Sequence, residues 1–293
     1  MEPLPSFIKT RKTLASNGKL INIEKPLIMG IINVTHNSFF SQSRCKTRHG
    51  ITHRAGKMLT QGAAIIDVGA CSTRPGVEMV SEEKELKRLN MAIGSIRKKF
   101  PDAVISIDTF RSGVAKRMVK DFAVDIINDI SAGDLDSKMF ETIADLKVPY
   151  IIMHMQGTPQ NMQQNPTYNN VVQDILLYLN EKVEKLKTLG VNDIIIDPGL
   201  GFGKTINHNY TLLKNLDAFK LFELPILIGL SRKSMIFKTL NTTPKGSLNG
   251  TSILNTIALL NGANILRVHD VQEAVECVKL VDIYKNQPEF QYL

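Results

Sequence analysis

An acid leaves the β-branched run Ile194-Ile195-Ile196 as Asp197 and enters Pro198-Gly199-Leu200-Gly201-Phe202-Gly203-Lys204, where three glycines leave the backbone bare. A carboxylate at the exit of a buried strand beside such a loop has two readings, a ligand anchor or a cap for the next helix. The same arrangement recurs along the chain. Asn33 follows Ile31-Ile32, Asp67 stands inside Ile65-Ile66-Asp67-Val68, Asp108 follows Ile105-Ser106-Ile107, and Asn128-Asp129 follow Ile126-Ile127. His154 follows Ile151-Ile152-Met153, Ser231-Arg232-Lys233 follow Leu227-Ile228-Gly229-Leu230, and Arg267-Val268-His269-Asp270 follow Ile265-Leu266. Donors, acceptors and charges of both signs therefore collect at one end of run after run. The chain offers no convincing Ser/His/Asp or Cys/His arrangement for nucleophilic catalysis.

These groups need elements to hold them. Apolar runs near residues 27–32, 64–68, 103–108, 124–129, 149–154, 193–197, 225–230 and 264–269 alternate with helix-length segments. The runs are continuous rather than alternating, as expected of parallel strands buried on both faces. One intervening segment opens at the N-cap Ser81, carries Glu82 and Glu83 in its first turn, and closes at Lys98-Lys99 before Pro101. Another runs from about Tyr168 to Leu189, with Val172, Ile175, Leu176, Leu179, Val183 and Leu186 on one face and Gly190 as its stop. Eight successive β–α units predict an α/β protein of the (β/α)8 TIM-barrel class, in which catalytic groups lie at the carboxyl ends of the strands. A doubly wound open sheet is the weaker alternative, and no Gly-x-Gly-x-x-Gly follows the first strand to support it. Asn17-Gly18, between strand-like flanks, predicts an N-terminal β-hairpin at about 6–25 that plugs or caps another part of the fold.

Nothing in the composition divides the chain, and residues 1–293 read as one domain. The 293 residues are 43% hydrophobic, without a linker or low-complexity tract. No apolar segment approaches the roughly 20 residues of a membrane span, and the start lacks the basic and apolar regions of a signal peptide. Cys45, Cys71 and Cys277 have neither disulfide-framework numbers nor metal-ligand spacing, which places the chain in a reducing cytoplasm. The net charge of +8 is scattered among acids, and aromatics make up 6% with no Trp, so an anionic small substrate is a better expectation than nucleic acid.

With these motifs assembled, the sequence resembles the dihydropteroate synthase family of pterin-binding TIM barrels, from about Pro26 to the last helix. The residues that carry the resemblance are Gly30-Ile31-Ile32-Asn33-Val34-Thr35 with Ser38-Phe39, Ser72-Thr73-Arg74-Pro75-Gly76, Ser106-Ile107-Asp108-Thr109, Ile127-Asn128-Asp129 and Met153-His154-Met155. Asp197 to Lys204, Ser231-Arg232-Lys233-Ser234 and Arg267-Val268-His269-Asp270 complete the set. Each is weak alone; their order and placement at strand ends make the combination specific.

The resemblance implies a transferase that joins p-aminobenzoate to 6-hydroxymethyl-7,8-dihydropterin diphosphate, releasing diphosphate. A carboxylate can accept two neighbouring pterin donors, a role that suits Asp197. By resemblance Asp108, Asn128 and Met153 complete the pterin site, and Lys233 donates to ring acceptors while its stem covers the ring. For Asp108, capping of the helix that follows is the competing reading. Arg267 and His269, two apart on a strand and so facing one way, can grip the diphosphate, although such a pair can also be a plain surface pair. Asn33, Thr73 and Arg74 join that group, with Asn33 also a ligand for the Mg2+ cofactor that shields the diphosphate. Lys233, Arg267, His269 and Arg74 are the expected catalytic residues. The p-aminobenzoate carboxylate is expected at Ser234, Arg232 and the N–H groups that open the helical segment, with its ring between Lys233, Pro75 and Phe202. Ser234 can equally be a structural cap. The family also implies a homodimer through late barrel helices, with no nucleic-acid or membrane partner.

The chain departs from the family at two places. After the first strand the family pattern Thr-Pro-Asp-Ser-Phe, continuing into Asp-Gly-Gly, is replaced by Thr35-His36-Asn37-Ser38-Phe39-Phe40-Ser41-Gln42-Ser43, and Cys71 stands where a glutamate is usual. Asn37 keeps hydrogen bonding and loses the charge. Cys71 reads as a small strand-end residue or as a reactive thiol. Three functions stay open from sequence: an active synthase, a related pterin barrel that transfers a methyl group, and a binding barrel no longer catalytic. Methyl transfer has no use for the Arg267-Val268-His269 and Ser231-Arg232-Lys233 groups.

Overall fold

The computed structural model describes residues 12–35, 47–71 and 79–288. Its chain opens with a hairpin of β1 (Thr13–Ser16) and β2 (Lys19–Asn22), paired with Ser16 opposite Lys19 so that Asn17 and Gly18 alone make the turn. Both have positive φ, 48° and 75°. That is the two-residue turn matching the twist of paired strands, and Asn-Gly adopts it at little cost.

Eight parallel strands follow: β3 (Leu27–Asn33), β4 (Ile65–Gly69), β5 (Val104–Asp108), β6 (Ile126–Asp129), β7 (Tyr150–Met153), β8 (Ile194–Asp197), β9 (Leu227–Ile228) and β10 (Ile265–Val268). Their order is β8-β7-β6-β5-β4-β3-β10-β9, and a parallel bridge between Ile196 and Ile226 brings the two ends together. The sheet is thereby a nearly closed (β/α)8 barrel, with every expected strand present. Around it lie α1 (Arg48–Thr60), α2 (Glu82–Lys99), α3 (Ser112–Phe122), α4 (Met139–Leu146), α5 (Val171–Thr188), α6 (Ile206–Lys214), α7 (Ser234–Thr239), α8 (Leu248–Leu260) and α9 (Val271–Lys285). The Ser81 hydroxyl caps α2 by accepting from the Lys84 N–H. Helix α5 starts at Val171 rather than near Tyr168, because the Asn170 side chain takes the N–H groups of Val172 and Gln173.

Strand alternation decides which residues can do chemistry. Met29, Ile65, Ile126, Ile151, Ile195, Leu227 and Ile265 point into the barrel and meet Leu14, Ile21 and Ile23 of the hairpin, which closes the barrel floor. Their neighbours Ile28, Ile66, Ile127, Ile152, Ile196, Ile228 and Leu266 face outward into the packing with the helices. Two residues above five of these floor residues the chain points inward again, at Asp67, Asn128, Met153, Asp197 and Arg267. The floor is therefore apolar and the upper barrel polar. The hairpin is also fastened by hydrogen bonds, with the Ser16 hydroxyl donating to the Asp125 carbonyl at 2.7 Å and the Ala15 N–H to Asp193 at 3.0 Å.

Candidate active site

Strand register sets the polar groups side by side. Asn33, Gly69, Asp108 and Asn128 are consecutive neighbours across β3, β4, β5 and β6, and Met153 lies beside Asp197 across β7 and β8. Gly69 is the narrow member of this row: a Cβ there would stand 3.4 Å from the Asn33 side-chain oxygen and 3.7 Å from an Asp108 carboxylate oxygen. Two residues below, Asp67 is fully buried in register with Ser106, whose hydroxyl donates to it at 2.7 Å.

Arg267 spans the barrel from β10 to reach these acids. Its Nε donates to Asp67 at 2.8 Å and its Nη2 to Asp108 at 2.8 Å, while Nη2 also stands 2.6 Å from the Asp67 oxygen in an ion pair. Burial works against the Arg267 charge, and the two carboxylates more than reverse this, leaving its pKa above the ordinary value. Asp108 is raised to about 7, by burial first, with Arg267 opposing and Asp67 adding to the rise. The surface-pair reading of Arg267 is thereby excluded. His269 stands just past the end of β10, its main-chain N–H donating to the Ser231 hydroxyl at 3.2 Å. Burial and then the surrounding cations, Arg267, Arg54, Arg232 and Lys233, lower its imidazole to about 3, so it is neutral at physiological pH.

On the opposite side of the mouth the glycine loop folds back on itself. Asp197 accepts from the Gly199 N–H at 2.7 Å, and burial raises its pKa against the pull of Lys233, that N–H and Lys204. Gly199 has φ 74°, and a Cβ there would collide with the His154 carbonyl oxygen. A Cβ on Gly201 would stand 2.9 Å from the Lys233 stem, so the bare loop lets that side chain lie across it. The Lys233 ammonium donates to the Leu200 carbonyl and sits 4.6 Å from the centre of the Phe202 ring. Burial lowers Lys233 to about 8 despite the nearby Asp197. Neither acid caps a helix. The Thr205 hydroxyl caps α6, and α3 begins after Arg111 with no side-chain cap.

Arg232 departs from its expected place among the p-aminobenzoate contacts. It adopts the left-handed conformation, φ 55°, and is 5% exposed. Its guanidinium binds Asp270 through Nε and Nη2 at 2.7 and 3.0 Å, and the Pro244 and Lys245 carbonyls at 2.8 Å each. The buried αL turn commits this cation to bracing three loops together. Ser234 is the first residue of α7 and does not cap it. Met153 and Phe202 belong to an apolar cluster with Cys71, Phe110, Ile130 and Met155. Thr73, Arg74 and Pro75 lie outside the described residues, as do His36, Asn37, Ser38 and Phe39 of the divergent segment.

Two contributors carried no assigned role in the sequence reading. Asp67 holds Arg267, and the signal for it was an acid inside an unbroken apolar run, which needs a buried partner. Lys204 is 3% exposed, and its ammonium group meets His154 Nδ1 at 3.0 Å, the His154 carbonyl at 3.2 Å and the Phe202 carbonyl at 2.9 Å. It ties the ends of β7 and β8 together behind Asp197. Among the described residues no cluster of three or more His, Cys, Asp or Glu side chains could hold a metal by itself.

A (β/α)8 barrel that gathers acids, an amide and a lysine at the carboxyl-end mouth sets hydrogen-bonding groups of both kinds where such barrels carry their sites. The family model of the pterin binding enzymes matches residues 29–269. Dihydropteroate synthase of Escherichia coli (strain K12) is 39% identical over 271 residues, covering 92% of this chain and 95% of that protein. The Haemophilus influenzae (strain ATCC 51907 / DSM 11121 / KW20 / Rd) dihydropteroate synthase is 40% identical over 269 residues, with 91% and 97% covered. Among solved structures, a sulfonamide drug complex of Yersinia pestis dihydropteroate synthase matches with TM-score 0.90 and 36% identity over 94% of this chain and 100% of that one. A Coxiella burnetii dihydropteroate synthase in complex with pteroic acid matches with TM-score 0.85 and 35% identity, over 94% and 99%. This chain belongs to the dihydropteroate synthase family of pterin-binding enzymes.

Proposed function

We propose that this chain is a dihydropteroate synthase, a transferase of folate biosynthesis that joins p-aminobenzoate to (7,8-dihydropterin-6-yl)methyl diphosphate. The observation that carries the reading is the convergence of Asp108, Asn128, Asp197, Lys233 and the Asp67-held Arg267 on one barrel mouth. Asp197 accepts from the pterin amino and ring N–H groups, with Asn128 and Asp108 completing the edge and Met153 packing beside it. The Lys233 stem, lying on the glycine loop against Phe202, covers the ring and presents its ammonium to ring acceptors.

The C–O bond to the diphosphate breaks with its electron pair leaving on the phosphate oxygen. The dihydropterin nitrogens share the positive charge left on the methylene carbon. The p-aminobenzoate amine then forms the C–N bond and gives up one proton to water or to the released diphosphate. No strong base is needed. Asn33, Thr73, Arg74, Arg267 and His269 hold the departing diphosphate, and Ser234 with Pro75 and Phe202 orients p-aminobenzoate.

Mg2+ fits the donors in outline. The Asn33 amide oxygen and an Asp108 carboxylate oxygen both lie within 4 Å of where a Cβ on Gly69 would stand, and Mg2+ usually takes a few protein oxygens plus substrate phosphate. Asn33 would hold it, and the ion would supply charge neutralisation to the leaving group. Two further readings rest on surface and compartment. The large apolar side chains Ile253, Ile257 and Leu260 of α8 and Leu280, Ile283 and Tyr284 of α9 are exposed, which supports a homodimer through these helices. Cys71 and Cys277 are buried and unpaired, in keeping with the cytoplasm. Among the described residues no helix is long and apolar enough to cross a membrane.

Purified protein supplied with Mg2+ and both substrates tests the assignment. Formation of 7,8-dihydropteroate is expected, and pterin binding without product would favour a binding barrel instead.

A further inference from the structure

Arg267, the cation expected to meet the diphosphate, is already shared between Asp67 and Asp108. Lys233 lies beside Arg267, its ammonium and the Arg267 stem both within about 4 Å of where a Cβ on Gly229 would stand, and it is held against Phe202 and the Leu200 carbonyl. A polyanion leaving past His269 gains from positive charge beyond these two groups.

Such charge lies next to His269. A cavity of about 170 Å3 opens between α1 and α9, lined by Arg54 and Lys57 of α1, by Gln61 just past its end, and by His269, Asp270 and Glu273 on the other side. Arg54 and Lys57 stand three residues apart on α1 and so share a face. The Arg54 guanidinium reaches the His269 carbonyl at 3.5 Å, which sets it alongside that residue. Of the two lining acids, Asp270 is bound by Arg232 at 2.7 and 3.0 Å. At about 170 Å3 the cavity is of a size to take one phosphoryl group.

We propose that this cavity is a distal phosphate subsite, in which Arg54 and Lys57 hold the terminal phosphoryl group of the diphosphate substrate and of the inorganic diphosphate released from it. The proposal rests on the dihydropteroate synthase reading above. The guanidinium supplies a planar fork for two phosphate oxygens and the ammonium a compact charge. Neither touches the pterin side of the barrel, so the pair acts on the leaving group alone.

Calorimetry with inorganic diphosphate, orthophosphate and a plain pterin, at low and high salt, tests this on wild type and on the Arg54→Met, Lys57→Met double variant. Diphosphate affinity should fall roughly tenfold, its salt dependence should flatten, and pterin affinity should stay unchanged. Arg54→Lys, made in the Lys57 background, should lose less than Arg54→Met. Diphosphate affinity within about twofold of wild type overturns the subsite. So does an equal loss of pterin affinity, which would make the pair structural, or a loss confined to orthophosphate, which would mark a site for free phosphate. Arg267→Ala and His269→Gln separate the two levels. If they also leave diphosphate binding intact, the leaving-group assignment at the mouth has failed; if they abolish it while the double variant does not, the distal subsite alone has failed.

Discussion

The Arg267 guanidinium grips the Asp67 carboxylate with two nitrogens, at 2.8 and 2.6 Å, across a sequence separation of 200 residues. Asp67 is fully buried, so it cannot turn to water, and it fixes the guanidinium below the row of Asn33, Asp108 and Asn128. Asp67→Asn keeps the shape and a hydrogen bond while removing the charge that holds Arg267. Breaking one side of a buried pair costs about 3–5 kcal/mol, and Asp108 as second acceptor should reduce that to roughly half. The expected outcome is a lower melting temperature together with a raised KM for the pterin diphosphate. Thermal unfolding and steady-state assays read the two effects, and an unchanged KM would mean that Arg267 keeps its position without Asp67.

Asp197 offers a cleaner test of the pterin edge, since it makes no ion pair within hydrogen-bond range among the described residues. Asp197→Asn sets an amide N–H2 against a pterin donor, and hydrogen bonds to charged groups are worth about 1.5–3 kcal/mol each. Pterin affinity should fall by roughly 2–4 kcal/mol in calorimetry. A change of less than about threefold would remove Asp197 from the role of main anchor.

Two groups at the mouth give a pH signature. Asp108 is ionised above about 7 and Lys233 is charged below about 8, and both act on the pterin in their charged forms. Pterin affinity should therefore peak between these values and decline on either side. Asp108→Asn should remove the acid limb and Lys233→Gln the alkaline one. Stability of the unliganded protein should move differently. Native Asp108 keeps its proton up to about 7 whereas an ordinary aspartate releases it near 3.8, so the native state binds more protons in that window. Its contribution falls as pH rises through the window. Lys233, lowered from 10.5 to about 8, destabilises fully below 8 and less as pH climbs toward 10.5. Denaturant midpoints of wild type and of the two variants across pH check both signs.

The barrel was legible because its strands are continuous apolar runs ending in polar residues, a pattern that forces the polar ends to one face. Asp197, Lys233 and the glycine loop were legible for the same reason, since everything they need is local. Arg267 was readable as a cation at the mouth, but its partners depend on the register of β4 and β5, which a linear reading does not carry. Arg232 looked like its neighbour Lys233 until the left-handed turn at φ 55° sent the two side chains apart. Arg54 and Lys57 gave no signal, because a helix face acquires meaning only from what packs beside it.

The hairpin predicts a stability effect without a chemical one. Leu14 is fully buried against Met29, Ile65 and Ile195 on the barrel floor, below the polar layer. Leu14→Ala should cost about 2–5 kcal/mol and lower Tm by roughly 4–10 °C, with kcat and pterin affinity unchanged at a temperature where the protein is folded. Lost pterin affinity in a folded variant would show that the floor reaches the site mechanically.

The last prediction concerns the stripe on α8 and α9. Leu280, Ile283 and Tyr284 are 69%, 63% and 69% exposed, and Ile253, Ile257 and Leu260 stand on the neighbouring helix at 51%, 37% and 41%. Six large apolar side chains on two adjacent helices form a patch of the kind that soluble chains ordinarily cover. A two-fold partner presenting the same stripe would bury it against itself, with each helix meeting its own copy or its neighbour's. Leu280→Glu with Ile283→Glu places like charges where the two copies would face each other, so association should weaken while the fold, whose core these side chains do not enter, stays intact. Sedimentation velocity across a concentration series should give a dimer for wild type and a monomer for the variant, with unchanged circular dichroism and pterin affinity. A wild type that sediments as a monomer at every concentration would refute the dimer, and a variant that remains dimeric would move the contact to another face.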